Sequence, residues 1–398
     1  MRLHRGRWRR GATRLFRTSA AVLLTLAATA CGTVSAAQGP SAAGPTAGPT
    51  TGSGPTTPQA KTSPTPSASE AARTSRHRGG RVRITGVGDV VMGAAPQLPP
   101  DGGRDLFTGV GDRLSGDVVL ANLDQALTDV TTSTKCGPDS SGCYAFRAPP
   151  SYAERLAEAG FTVVNLANNH TRDFGVAGLQ DTREALTAAG VDHTGMPGQI
   201  TYQRVDDLRV ATIGFSPYGW TQSLLDIPAA EDLVREAAAH ADVVLVTIHA
   251  GGEGSDFQHT RPGVETFLGE NRGDPIAFSH AVIDAGADLV LGAGPHVLRG
   301  MEWYQGRLIA YSLGNFTGYR ALSNDGPKGV GALVTVELTA DGSWLGGELV
   351  PIRMADPGLP ELDPEREAVE QVATLSHEDF GGCGVDVSDD GALTPPTC

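Results

Sequence analysis

An α/β fold with a largely parallel or mixed sheet is what this sequence predicts, on three observations. From Arg81 onward, short apolar runs of strand character alternate with amphipathic stretches of helical spacing. Two late runs, VGALVTVELT and WLGGELVPIRM, are joined by Ala340-Asp341-Gly342-Ser343, a hairpin signal. No internal repeat interrupts the alternation.

In chain order, RVRITGVGD, GDVVLANLD, FTVVNLANNH, LRVATIGFS, DVVLVTIHAGG, ADLVLGAGPH and RLIAYSLGN read as buried strands. Their lengths and β-branched content suit strands covered on both faces. The clearest helices are Tyr152 to Ala159, Val176 to Ala189, Ala229 to Ala241 and Pro275 to Ala285, each apolar on one face only. After Pro357, GLPELDPEREAVEQV predicts a helix, followed by a Gly- and Cys-rich end.

The first 80 residues differ in kind. Residues 1–31 read as an export signal: seven arginines from Arg2 to Arg17, then the apolar stretch Ala20 to Ala30, too short for a stable membrane span. Ala28-Thr29-Ala30 fits a cleavage site of a secreted protein. Cys31, directly after it and without a nearby partner, favours lipid attachment, although Ala28 stands where a lipoprotein signal prefers Leu. Residues 32–80 are rich in Pro, Thr, Ser, Gly and Ala, and predict a disordered tether. A folded domain then covers 81–356, and a tail 357–398.

Charge divides along the same line. Residues 1–80 carry about +10 of a chain whose net charge is −14, leaving about −24 for the remainder. So acidic a domain excludes a nucleic-acid binder and suits one that binds cations. The cysteines point to an oxidising compartment in the cell envelope: Cys136 with Cys143 and Cys383 with Cys398 are expected as short-range disulfides.

Functional groups of open α/β sheets gather beyond the carboxyl ends of strands. Those ends read Gly88-Asp89, Asn122-Leu123-Asp124, Asn168-Asn169-His170, His249 with Glu253, Pro295-His296, and Ser312-Leu313-Gly314-Asn315. Five of the six bring an acid or an imidazole. Carboxylates and amides suit Mg²⁺ or Mn²⁺, and imidazole adds Zn²⁺ and Fe. Each end also has a bland alternative: a Gly-Asp turn, a core histidine at 249, Asp124 as a helix cap, Asn315 bonding loop backbone. Their accumulation favours a divalent-metal centre with ligands Asp89, Asn122, Asn169, His170, His249 and His296. Asp124, Glu253 and His170 are then the catalytic or ligand-orienting side chains.

The motif order GDVVMG, NLDQALT, NLANNHTRDFG, IHAGGE and GADLVLGAGPHVLRGMEWYQGRLIAYSLGNF closely resembles the bacterial CapA family of poly-γ-glutamate capsule synthesis, from about Arg83 to Ile352. The resemblance implies a four-layer α/β/β/α sandwich of the metallophosphatase-like type, with a metal site at the strand ends. By position, Asp89, Asn122 with Asp124, Asn169-His170, His249 with Glu253, and His296 match the family's motifs. Two departures stand out. Many relatives carry His where this chain has Ala293, and Asp89 is followed by Val90-Val91 rather than the Asp-x-His of true phosphatases.

Two functions follow as expectations. One is a metal-dependent hydrolase or transferase, holding one or two Mn, Fe, Zn or Mg ions and acting on a phosphoester or γ-glutamyl polymer. The other is a non-catalytic, polymer-binding component of a membrane synthesis or export complex, with Arg261, Arg272, Arg299 and Arg320 either supplying positive potential or lying as ordinary solvated surface.

Overall fold

The computed structural model describes residues 79–133, 135–136 and 143–398. The expected export signal, the expected lipidation site at Cys31 and all but the last two residues of the expected tether lie outside these.

The described chain is a sandwich of two sheets. The first contains β1 (Arg81–Val91), β2 (Val118–Leu123), β3 (Val163–Asn165) and β4 (Asp192–Thr194), all parallel neighbours in that order. The second contains β5 (Thr201–Val205), β6 (Leu208–Phe215), β7 (Val243–His249), β8 (Leu289–Ala293), β9 (Met301–Tyr304) and β10 (Arg307–Ala310), in the order β9-β10-β8-β7-β6-β5, with β6, β7, β8 and β10 parallel. The chain then returns to the first sheet. There β11 (Asn315–Gly318) pairs with the end of β1, while β12 (Val330–Thr339), β13 (Trp344–Ala355) and β14 (Leu359–Leu362) extend its other edge antiparallel.

Three apolar layers follow from strands buried on both faces. Val82, Ile84, Leu120, Val210, Leu245, Leu291 and Val334 fill the space between the sheets. Outside the first sheet, Val119, Ala121 and Val164 pack against Leu156 of α1 (Tyr152–Ala159) and Leu186 of α2 (Gly175–Ala189). Outside the second, Ile213, Val244, Val246 and Val290 meet Val234 of α3 (Ile227–His240) and Phe278 and Val282 of α4 (Pro275–Ala285). This is the α/β/β/α layering the resemblance implies.

Local chemistry sets the helix bounds. Asp226 and Asp274 cap α3 and α4 by accepting from the N–H of Ala229 and Ala277, with proline in the first helical turn of each. Gly160, Gly190 and Gly286 end α1, α2 and α4 in the left-handed region. The expected bounds of α1 and α4 match to the residue, and α3 starts two residues early because Asp226 is its cap.

Three expectations need correction. RLIAYSLGN is not one strand: β10 stops at Ala310, and Tyr311 to Gly314 crosses between the sheets before β11 begins. Leu313 N–H donates to Gly292 O in the second sheet, and Gly314 O accepts from Asp89 N–H in the first. After Pro357 a strand, β14, precedes the helix α5 (Glu367–Phe380), because Leu359 to Leu362 completes the edge of β13. Finally, Cys136 and Cys143 are bonded, but Cys383 and Cys398 are not. The tail is closed instead by the antiparallel pairing of Asp386-Val387 with Leu393-Thr394. The α5 helix seals the inter-sheet core with Ala368, Val369 and Val372, lying across β9, β12 and β13. Among the described residues no helix is long and apolar enough to cross a membrane.

Candidate metal centre

The parallel strands of both sheets deliver their carboxyl ends to one place. Asp89 is the ninth residue of β1, where the register slips against both β2 and β11. Such a bulge re-aims a side chain. Its carboxylate is fully buried and held on both oxygens, Oδ1 by Asn122 Nδ2 at 2.8 Å and Oδ2 by the Gly294 N–H at 3.1 Å. His296, just past β8, places Nδ1 at 3.2 Å from Asp89 Oδ2 and 2.9 Å from Asn315 Oδ1. Its backbone φ of 58° lies in the left-handed region. A non-glycine residue held there is strained, and such strain gathers at functional sites.

Asp124 completes the cluster and is its most telling member. Its carboxylate is fully buried, and neither oxygen has a hydrogen-bond partner. No helix follows it, so it caps nothing. Burial pushes its pKa up to about 6, against the lowering effect of the neighbouring His170 and with a further push from the Asp89 charge. One ligand atom each from Asp89, Asp124 and His296 lies within 4.8 Å of the others. Two carboxylates and an imidazole at this spacing, with orphaned oxygens, suit a divalent cation. Without one, the imidazolium serves as the counter-charge: burial opposes its ionisation, but the Asp89 charge and hydrogen bond raise His296 to about 10. Burial likewise works against the Asp89 carboxylate, yet the His296 charge and hydrogen bond keep its pKa below the usual range.

The remaining predicted residues take distinct places. Asn122 turns its amide oxygen away, where it accepts from Asn165 Nδ2 at 3.0 Å and Asn168 Nδ2 at 3.3 Å. Its nitrogen faces Asp89 and, at 3.1 Å, His249 Nδ1, so Asn122 orients the cluster rather than offering an oxygen to it. Asn169 Oδ1 is buried without a partner and remains available as a ligand atom. His249 is fully buried at the end of β7, with Nδ1 3.8 Å from Asp89 Oδ1 and Nε2 3.3 Å from Arg272 Nη2. Burial and then the Arg272 charge hold its pKa well below the ordinary value. Glu253 is bound to Arg272 Nη1 at 2.6 Å. His170 stacks on Phe146, and its Nδ1 meets Asp173 Oδ2 at 2.7 Å and Lys135 Nζ at 3.1 Å.

A cleft of about 560 Å³ opens onto the cluster, lined among others by His170, Glu253, His296, Asn315, Arg320 and Lys328, with Tyr144 and Phe146 as an aromatic wall. Two of the four arginines that could have been ordinary surface prove buried: Arg272 and Arg299 are 1% and 0% exposed. Sequence reasoning named Arg272 only as a source of positive potential or as ordinary surface, and missed Asn165, Asp173 and Lys135. Asp173 had a usable signal, three residues after His170 in NLANNHTRDFG. Arg272 had none, since its burial arises from tertiary packing.

The family pattern described as bacterial capsule synthesis protein PGA_cap matches residues 83–319, well over half of the chain. The chain belongs to this family. Similar PGA_cap relatives include the capsule biosynthesis protein CapA of Bacillus anthracis, 32% identical over 62% of this chain and 62% of that protein. The PGA biosynthesis protein CapA of Bacillus subtilis (strain 168) is 34% identical over 40% of this chain and 43% of that protein. The match thus spans less than two thirds of either relative. Similar solved structures include a hypothetical protein from Thermus thermophilus (TM-score 0.41, 17% identity, 68% of this chain and 98% of that one) and a 5'-nucleotidase precursor from the same organism (TM-score 0.38, 16% identity, 75% and 59%). Overlaps this loose assign no residue and no activity to the PGA_cap chain.

Proposed function

We propose that this chain is an exported, envelope-located capsule-synthesis protein whose strand-end cluster holds a divalent cation (Mn, Fe, Zn or Mg) and acts on an anionic polymer or phosphoester as a hydrolase or transferase. The observation that carries the reading is Asp124, a fully buried carboxylate with two unpartnered oxygens beside Asp89 and His296. Such a cation supplies polarisation of a substrate oxygen and of water. The chain's own groups do the rest. Asp89, Asp124 and His296 hold the ion, while Asn122 and the Gly294 N–H fix the Asp89 carboxylate. Asp173 anchors Nδ1 of His170, leaving the ring's other nitrogen, at the cleft, to pass a proton to a leaving group. Arg320 and Lys328 on the cleft wall give an acidic ligand positive potential in an otherwise acidic domain. The kind of polymer is suggested by the capsule and PGA biosynthesis names of the relatives. Export, attachment of lipid at Cys31 and association with a membrane synthesis complex belong to the same proposal, resting on the sequence of residues 1–31.

A second reading, a polymer-binding component without turnover, is favoured by Ala293, which pairs in register with His249 but carries no ligand atom. Elemental mass spectrometry of the full chain, beside Asp124→Asn and His296→Gln, tests the centre. Bound metal in the wild type and its loss in both variants is expected. Metal retained undiminished by Asp124→Asn sinks the centre. Assays of aryl phosphoesters and γ-glutamyl amides with and without EDTA then separate the readings, since polymer binding without metal-dependent turnover favours the second.

A further inference from the structure

His249 and Glu253 are ligand-type side chains beside the cluster: His249 Nδ1 lies 3.9 Å from Asp124 Oδ1, and Glu253 lines the same cleft as His296. Together they offer an imidazole and a carboxylate to a second cation beside the cluster. Neither is free to do so. Arg272 Nη1 takes Glu253 Oε1 at 2.6 Å and Tyr218 Oη at 2.8 Å, while its Nη2 faces His249 Nε2 at 3.3 Å. We propose that the Arg272 guanidinium is a built-in replacement for a second metal ion, so that the centre binds a single divalent cation beside a fixed organic one.

The side chain is placed to be permanent. Arg272 is 1% exposed, with its ring-facing contact on Tyr218 at 5.7 Å. Its backbone is tied on both sides: Arg272 N–H donates to Glu265 O at 2.9 Å, and Arg272 O accepts from Gly251 N–H at 3.0 Å. Glu265 is itself gripped by both terminal nitrogens of the buried Arg299, each at 2.7 Å, and its carboxylate takes the Gly252 N–H. The loop that follows β7 and the segment carrying Arg272 are therefore locked together, and the guanidinium has no room to swing out. A guanidinium cannot lose its proton near neutral pH, so its charge is present at every working pH. A divalent ion brought to His249 and Glu253 would have to displace that charge and break the contacts it makes with Glu253, Tyr218 and His249.

This inference rests on the metal reading of the centre. The test loads the full chain with excess Mn²⁺, removes unbound ion, and reads equivalents per chain by elemental mass spectrometry and ion spacing by electron paramagnetic resonance. The wild type is expected to hold one equivalent with the spectrum of an isolated ion, and Arg272→Lys to do the same. Arg272→Met is expected to take up a second equivalent with a spin-coupled spectrum, and Arg272→Met/Glu253→Gln to fall back to one. Two equivalents in the wild type overturn the proposal while leaving the centre intact. A folded Arg272→Met that still holds one equivalent overturns it as well. No metal in the wild type overturns the reading of the centre, and this inference with it. The wild-type count and spectrum stand whether or not the buried-arginine variant folds.

Discussion

Burial works against a charge on both His193 and His296, yet the two rings shift in opposite directions: the pKa is lowered at His193 and, without a cation beside it, raised at His296. Their partners decide the difference. His296 faces the Asp89 carboxylate at 3.2 Å, which outweighs the cost of burying a charge. His193 on β4 faces only donors: Gln199 Nε2 at 3.2 Å from Nδ1 and Arg183 Nε at 3.4 Å from Nε2. Burial first and the Arg183 charge second lower its pKa to about 4. In the unfolded chain the ring takes its proton near the ordinary value of about 6.5. The folded state therefore enjoys the full benefit of a neutral ring above that pH and loses it progressively as pH falls toward 4. His193→Gln keeps a polar side chain and removes the titration. We expect its stability against urea to fall less steeply than that of the wild type between these limits, by about 1 kcal/mol after allowing for the ring's partial exposure. Parallel pH profiles for the two proteins would remove the assignment.

At the scale of elements, the centre depends on how closely the crossing segment from β10 to β11 lies on β1. Gly88 makes that approach possible: a Cβ there would collide with Gly314 O, the same carbonyl that accepts the Asp89 N–H. Backbone cannot give way as a side-chain tip does. Gly88→Ala is expected to cost about 3 kcal/mol or more and to displace Asp89, with a matching fall in midpoint by calorimetry and reduced metal uptake. Gly346→Ala on β13, where a Cβ meets nothing within 4 Å, is the control and should stay within about 0.5 kcal/mol. The same crossing explains what the sequence could and could not reveal. The strand ends were legible because Asp89, Asn122 and His249 are ligand-type residues in the last three positions of apolar runs and His296 lies just past one, which is a local signal. RLIAYSLGN hid its break because Tyr311 and Leu313 within the crossing are buried, as is Phe316 just after it, so hydrophobicity never drops where the chain changes sheets. Asn122 was legible as a site residue but not as an orienting one, since its role is set by Asn165 and Asn168 reaching over from the neighbouring β3 region. Arg272 was illegible for a related reason: a cation in a polar loop is ordinarily solvated, and only the convergence of Tyr218, His249 and Glu253 buries it.

At the scale of the whole molecule two charge distributions compete for any acidic ligand. The chain beyond residue 80 carries about −24, a field that repels a polyanion from every direction. At the cleft Arg320, Lys328 and the cation proposed for Asp89, Asp124 and His296 offset this field locally. These two contributions differ in reach. Acids farther from the cleft than the Debye length, about 10 Å at 0.1 M salt, are screened, whereas direct contacts with the metal and the cleft cations span only a few Å. Salt therefore screens the repulsion more than the attraction. Binding of poly-γ-glutamate to the metal-loaded chain is expected to hold or strengthen as salt rises from about 20 to 150 mM, opposite to the steep weakening of binding driven by many exposed basic contacts. Calorimetric titration at the two salt levels measures it. Adding EDTA at the higher level should then abolish the binding, because only the acidic surface and the two cleft cations, Arg320 and Lys328, remain. An affinity that falls steeply with salt and ignores EDTA would place the polymer on a basic surface away from the centre.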